Sequence, residues 1–253
     1  LGDYHTHTVY SHGKGTIEDN VRAAVQAGLR QIAITDHGFN HLTYRVRRSK
    51  WPRARAEVAA LREKYPQIDI LLGTESNIRS LDGTVDVKPT DALDILVCGF
   101  HKLVKPVRPG DIFKFFMPNY FLNLRGKTKA KQTTRNTDAY IKALEKYPID
   151  ILSHPNHDCH VDIGAVAAAA AELGTYIELN CKNIRGGIAS MTDDELAVLL
   201  DTKAEFVVDT DAHTPERVGV FDRAYEVIER VGIPYERIAN WDRLPDFRSR
   251  KNV

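Results

Sequence analysis

Seven short apolar runs punctuate this chain, and six of them end in histidine or a carboxylate. The runs lie around Tyr4 and at QIAIT (31–35), DILLGT (69–74), DILVCG (94–99), IDILS (149–153), TYIEL (175–179) and EFVVD (205–209). Runs of this length, rich in β-branched residues and bounded by turn signals, predict parallel strands buried on both faces. Amphipathic stretches between them predict helices over 17–27, 52–64, 134–145, 163–172, 193–200 and 216–231. Thr16 with Asp19, and Thr192 with Glu195, are spaced as capping-box starts. Gly28 and Gly174 stand where a left-handed residue closes a helix. Strands alternating with helices predict a parallel barrel or a doubly wound sheet. The strand-end residues favour the barrel, because only a closed sheet delivers every C-terminal strand end to one shared rim. At 253 residues the chain fits one α/β domain, a (β/α)7-type barrel.

The rim set is His5, His7, His12, His37, Glu75, His101, His154, Asp211 and His213. Nine nitrogen and oxygen ligands exceed the four to six of a single ion, so two or three divalent ions are expected. His5-x-His7 places two imidazoles on one side of an extended backbone, since side chains alternate with period two. A single histidine after a strand is usually an ordinary polar rim residue; the inference rests on their recurrence at successive strand ends. Asp36 sits beside His37 as a candidate orienter. Together with Glu75 and Asp211 it makes up the expected catalytic carboxylates. His41, His157 and His160 fall away from the strand ends and are expected at the surface or behind the ligands. Either of the last two is a candidate proton donor to a leaving group.

Several divalent ions offset by only two carboxylates would make a cationic site suited to a multiply charged anion. Acidified water and neutralised oxygens favour phosphate-ester hydrolysis, with a metal-bound hydroxide as the expected nucleophile. The sixth strand ends in ELNCKNIRGG and offers Asn180, Lys182 and Arg185 for a small phosphorylated substrate, with Lys102 a further candidate.

A formal net charge of +1 describes neither a generally basic nucleic-acid binder nor an acidic solvating chain. No run approaches a membrane span, so no membrane partner is expected. The sequence opens on LGDYHTHT with no leader pattern, and Cys98, Cys159 and Cys181 form no even framework. The expectation is therefore a cytoplasmic protein with reduced cysteines. Residues 102–135 break the rhythm: they carry nine Lys or Arg, one acid (Asp111) and the aromatic cluster FKFFMPNYF. Such a concentration of charge and length is expected to form a lid, a homo-oligomer contact or an anion clamp, and it keeps nucleic acid among the possible partners. The plainer alternative is a solvated loop packed down by Phe115, Phe116 and Tyr120.

DYHTHT, ITDHG, GTESNI, CGFH, ILSHPNH, ELN and DTDAH occur in this order. Through them the chain resembles the PHP (polymerase and histidinol phosphatase) family, most closely its YcdX-type branch of stand-alone phosphoesterases. The resemblance implies a distorted (β/α)7 TIM-like barrel with a trinuclear site, usually zinc, with manganese or iron in some members. It implies one ion on His5, His7, Glu75 and Asp211, a second on Glu75, His101 and His154, and a third on His12, His37 and His213. The loop from His7 to His12 is one residue shorter than the branch pattern, and 102–135 is longer. Histidinol phosphate, a sugar phosphate or a nucleotide would each suit such an enzyme. Two other readings stand beside it: a metal-dependent nuclease of the PHP or TatD type, and a non-catalytic metal-stabilised module.

Overall fold

Period-two alternation divides each strand between two apolar layers, and this division builds the sheet. The computed structural model describes residues 1–120, 126–184, 187–188 and 191–252. Its main sheet contains β1 (Gly2–Asp3), β2 (Gln31–Ile34), β3 (Asp69–Asn77), β4 (Ile95–Gly99), β5 (Ile151–Leu152), β6 (Tyr176–Asn180) and β7 (Phe206–Asp209), hydrogen-bonded in that order. Every neighbouring pair is parallel. Past the ends of β1 and β7, Thr6 pairs with Ala212. There His7 N–H donates to Ala212 O at 2.8 Å and Ala212 N–H donates to His5 O at 3.1 Å. The result is a nearly closed parallel seven-stranded barrel.

Ala33, Leu71, Ile95, Val97, Ile151, Tyr176 and Val207 meet Tyr4 in one apolar cluster inside the barrel. Their strand neighbours Ile32, Ile34, Ile70, Leu72, Leu96 and Ile177 face the other way, into the layer shared with the helices. That outer layer is covered by α1 (Ile17–Gln26), α2 (Trp51–Lys64), α3 (Gly126–Lys146), α4 (Ile163–Leu173), α5 (Asp193–Leu200) and α6 (Asp222–Val231). Both expected capping boxes form, at Thr16 with Asp19 and at Thr192 with Glu195. Gly28 and Gly174 both adopt a φ of 71°, the left-handed geometry that ends α1 and α4. The C-terminal segment closes the end of the barrel opposite the ligands. Phe247 packs its ring 5.0 Å from Tyr4 and 6.2 Å from Tyr176, and Ser249 N–H donates to Asp150 Oδ1 at 3.1 Å.

Two regions differ from expectation. The helix predicted over 216–231 is divided: a short turn at Pro215–Arg217 precedes Gly219, whose φ of 75° breaks the helix before α6 begins. The 102–135 segment contains helical turns at Pro109–Asp111, Ile112–Phe116 and Met117–Tyr120, and α3 begins at Gly126 rather than 134. Phe115 and Phe116 are buried, 5.0 and 5.4 Å from the Phe100 ring, whereas Tyr120 is 47% exposed. Among the described residues no helix is long and apolar enough to cross a membrane.

Candidate metal centre

The nine rim residues converge around one carboxylate. Glu75 lies inside β3, because Gly73–Asn77 pairs with Ile95–Gly99 and extends the strand past its predicted end. A further bridge joins Glu75 to His37. Glu75 Oε1 is 3.3 Å from His5 Nε2, 3.2 Å from His101 Nε2 and 2.8 Å from His154 Nε2. Its Oε2 is 3.6 Å from His7 Nε2 and 2.8 Å from His37 Nδ1. The two oxygens thus face different imidazoles, and the division departs from the one the resemblance implies: His5 and His7 face different oxygens, and His37 groups with Glu75 and His101.

Asp211 joins His5 and His7: its Oδ1 is 3.1 Å from His7 Nε2 and 3.8 Å from His5 Nε2, and the two imidazole nitrogens are 3.2 Å apart. Four ligands at zinc's usual bond lengths are separated by roughly 3.3 Å along each edge of the tetrahedron. The observed spacings centre on that value. The third set is less separate than the resemblance implies. His12 lies 4.8 Å from His37 and 4.2 Å from His213 between ring centroids, but His37 and His213 are 6.4 Å apart. His7 closes the gap, because the ligand atoms of His7, His37 and His213 all lie within 4.8 Å of one another. His12 is half-buried and stacks on Tyr44 at 4.3 Å.

Unpaired polar atoms test whether cations fit here. His7 Nδ1, His12 Nδ1, His37 Nδ1, His213 Nε2 and Glu75 Oε2 are buried without a hydrogen-bond partner. His37 Nδ1 and Glu75 Oε2 are 2.8 Å apart, within ion-pair distance of each other. Proteins seldom bury such atoms unsatisfied, and several in one place suit electron-pair acceptors. Burial lowers His37 to about 3 and His12 to about 4, leaving neutral imidazoles with free lone pairs. Burial opposes ionisation of Glu75 and Asp211, but His101 and His5 hold Glu75, and His5 and Lys182 hold Asp211, well below the usual carboxylate range. His154 and Asp211 have φ of 27° and 48°, strained left-handed conformations for non-glycine residues and typical of functional positions.

Behind the ligands is a carboxylate that the sequence reading passed over. Glu178, in the middle of β6, is fully buried. Its Oε1 is 2.5 Å from His5 Nδ1, and its Oε2 accepts the His154 backbone N–H at 2.6 Å. It therefore aims His5 Nε2 at the centre and fixes the backbone of a second ligand. An acid inside an otherwise apolar strand was the available signal. Asn77 Oδ1 similarly lies 2.7 Å from His101 Nδ1.

Asp36 faces away from the ligands. It accepts from Thr8 N–H at 2.7 Å, from Thr8 Oγ1 at 2.6 Å and from Ser11 Oγ, so it holds the loop between His7 and His12. Asn180 is buried; it donates to Glu178 at 3.0 Å and accepts from Lys182 N–H at 2.8 Å. Lys182 Nζ reaches the rim, 3.0 Å from Asp211 Oδ2. Lys102 instead pairs with Asp158 at 2.8 Å. Arg185 lies outside the described residues. His41 is buried against His37, with ring centroids 5.1 Å apart; His157 stands 5.5 Å from His154; His160 is exposed.

The PHP domain model matches residues 3–154. A probable phosphatase of Shewanella sp. (strain MR-4) is 34% identical over 251 residues, covering 94% of this chain and 86% of its own length. This chain belongs to the PHP domain family. YcdX of Escherichia coli (strain K12), described as a probable phosphatase, is 30% identical over 250 residues, with 94% and 89% coverage. The fold resembles histidinol phosphate phosphatase of Lactococcus lactis, solved with zinc, L-histidinol and phosphate. That match has a TM-score of 0.67 at 16% identity and covers 98% and 97% of the two chains. In this PHP chain Glu178, Asp211 and His213 lie beyond the segment matched by the family model, on strands that complete the same sheet.

Proposed function

We propose that the protein is a metal-dependent phosphatase acting on small phosphomonoesters at a trinuclear centre. The observation that carries this reading is Glu75, whose Oε1 faces His5, His101 and His154 and whose Oε2 faces His7 and His37 in a largely buried cluster. His5, His7, Glu75 and Asp211 would hold one ion, Glu75, His101 and His154 a second, and His12, His37 and His213 a third, with zinc the expected metal and manganese or iron alternatives. Such ions would supply an acidified water and offset the charge on the phosphate oxygens. The chain's own residues hold the site in shape: Glu178 aims His5, Asn77 aims His101, and Asp36 holds the loop carrying His12. Lys182, partly exposed and beside Asp211, would bind a phosphate oxygen. The relatives described as probable phosphatases support the same chemistry.

The near-closure of the sheet supports a distorted (β/α)7 TIM-like barrel forming a single domain over 1–253. Three free, buried cysteines support a reducing compartment such as the cytoplasm.

The test is hydrolysis of p-nitrophenyl phosphate by metal-loaded protein, beside a single-stranded oligonucleotide and with elemental analysis of the same sample. Monoester turnover that is lost in Glu75→Gln, with two to three ions per chain, is expected. Cleavage of the oligonucleotide alone would favour a nuclease. Failure to hydrolyse either substrate would favour a structural module.

A further inference from the structure

Two paired loops that follow β2 and β4 carry exposed apolar residues beside the ligand rim, which Tyr44 reaches at His12. Leu42 is 54% exposed and Tyr44 44% exposed, both following β2, and Leu103, following β4, is 40% exposed. Single exposed apolar residues are ordinary on protein surfaces; these belong to one built wall. His41 and Val104 form an antiparallel bridge, Leu42 N–H donates to Leu103 O at 2.8 Å and Lys105 N–H donates to Asn40 O at 3.0 Å. The first loop is wound around buried His41, whose Nδ1 accepts from Thr43 N–H at 3.3 Å and Tyr44 N–H at 3.1 Å. Arg45 clasps the same turn through the carbonyls of His41 and Leu42, at 3.3 and 3.1 Å.

This fixed loop lays the Tyr44 ring on His12, 4.3 Å between centroids and 23° between planes. His12 lies 4.2 Å from His213, and His213 Nδ1 is 3.5 Å from Lys182 Nζ. A cation and an aromatic ring thus flank the same pair of ligand histidines.

Resting on the phosphoesterase reading, we propose that this wall seats the leaving group, and that the substrate is a phosphomonoester of a flat, apolar alcohol or phenol. The phosphate would face the ligand cluster and Lys182, while the leaving group lies on Tyr44, Leu42 and Leu103. Water supplies the new P–O bond, the ester P–O bond breaks, and the released alkoxide takes a proton to leave as the alcohol. A sugar would set hydroxyls against the two leucines and surrender their bonds to water without replacement.

The test pairs two non-hydrolysable probes, benzylphosphonate and methylphosphonate, by calorimetry on metal-loaded protein. It also pairs two substrates, benzyl and ethyl phosphate, by kcat/KM. An aromatic contact of this kind predicts about tenfold preference for the benzyl member of each pair. Tyr44→Ala should reduce that ratio to about twofold and Tyr44→Phe should preserve it. Leu42→Ser, at a largely exposed position, should lower it by a smaller factor, which keeps the test open if Tyr44→Ala does not fold. Equal affinities in the unaltered protein, or a ratio indifferent to Tyr44 and Leu42, would overturn the wall while leaving phosphatase activity standing. No phosphonate binding and no hydrolysis would overturn both.

Discussion

Replacing Glu178 with glutamine isolates the carboxylate behind the candidate metal ligands His5 and His154. Glu178 receives three contacts in the structure: His5 Nδ1 at 2.5 Å, His154 N–H at 2.6 Å and Asn180 Nδ2 at 3.0 Å. All three partners present donors when His5 carries its proton on Nδ1 and leaves Nε2 for a metal. A glutamine amide has one acceptor oxygen and one NH2 group. If the NH2 faces His5, the imidazole must move its proton to Nε2, the atom aimed at the centre. If it faces His154 and Asn180, donors oppose donors in a buried site. Losing an orienting partner of this kind typically lowers metal affinity about 10–100-fold, or roughly 1.4–2.7 kcal/mol. Competition against a chromogenic chelator should show a drop in that range for the tightest site, with the far-ultraviolet circular dichroism unchanged. Affinity within twofold of the unaltered protein would refute the role assigned to Glu178.

Three further outcomes follow from packing and burial. A Cβ on Gly38 would lie 2.5 Å from Asp86 Oδ2, and Asp86 is held by Ser76 Oγ, Asn77 N–H and Asn40 N–H at 2.7, 2.8 and 3.0 Å. Gly38→Ala should therefore cost about 1–3 kcal/mol in urea unfolding and weaken metal retention through neighbouring His37. Phe247→Ala empties the barrel floor beneath Tyr4; it should cost about 3–5 kcal/mol while the folded protein keeps its full metal content, both read on the same preparation. Burial raises Asp150 from 3.8 to about 6, so the native state binds its proton more tightly than the unfolded chain. The resulting penalty is absent below about pH 4, grows as pH rises to 6 and is complete above it; relative to Asp150→Asn, the unaltered protein should lose about 3 kcal/mol across that window. A pH-independent difference between the two urea midpoints would contradict this.

The strand and helix positions could be read because their causes are local. QIAIT and EFVVD are too short and too apolar for surface helices, and Thr16 with Asp19 specifies a helix start within four residues. The convergence of imidazoles and carboxylates was foreshadowed because histidines recur where these runs stop. Glu178 was not, since its meaning depends on His5, separated from it by 173 positions. The position of Asp36 beside His37 suggested a partner for that imidazole, but side chains at successive positions diverge, and the carboxylate turned to Thr8 and Ser11 instead. The position of His41 left open the surface or a place behind the ligands; the loop that winds around it decides for burial against His37.

By itself, the order of residues determined the alternation of strands and helices, the caps that bound them and the stock of nitrogen and oxygen donors. Hydrophobic period and capping chemistry act over a few positions, so no folded partner is needed to see them. Closure of the sheet decided the rest: which carboxylate stands between the imidazole sets, which acid supports them from behind, and which apolar loops wall the rim. Those relations join atoms within about 3–4 Å of one another on distant parts of the chain, and only barrel curvature brings them into reach.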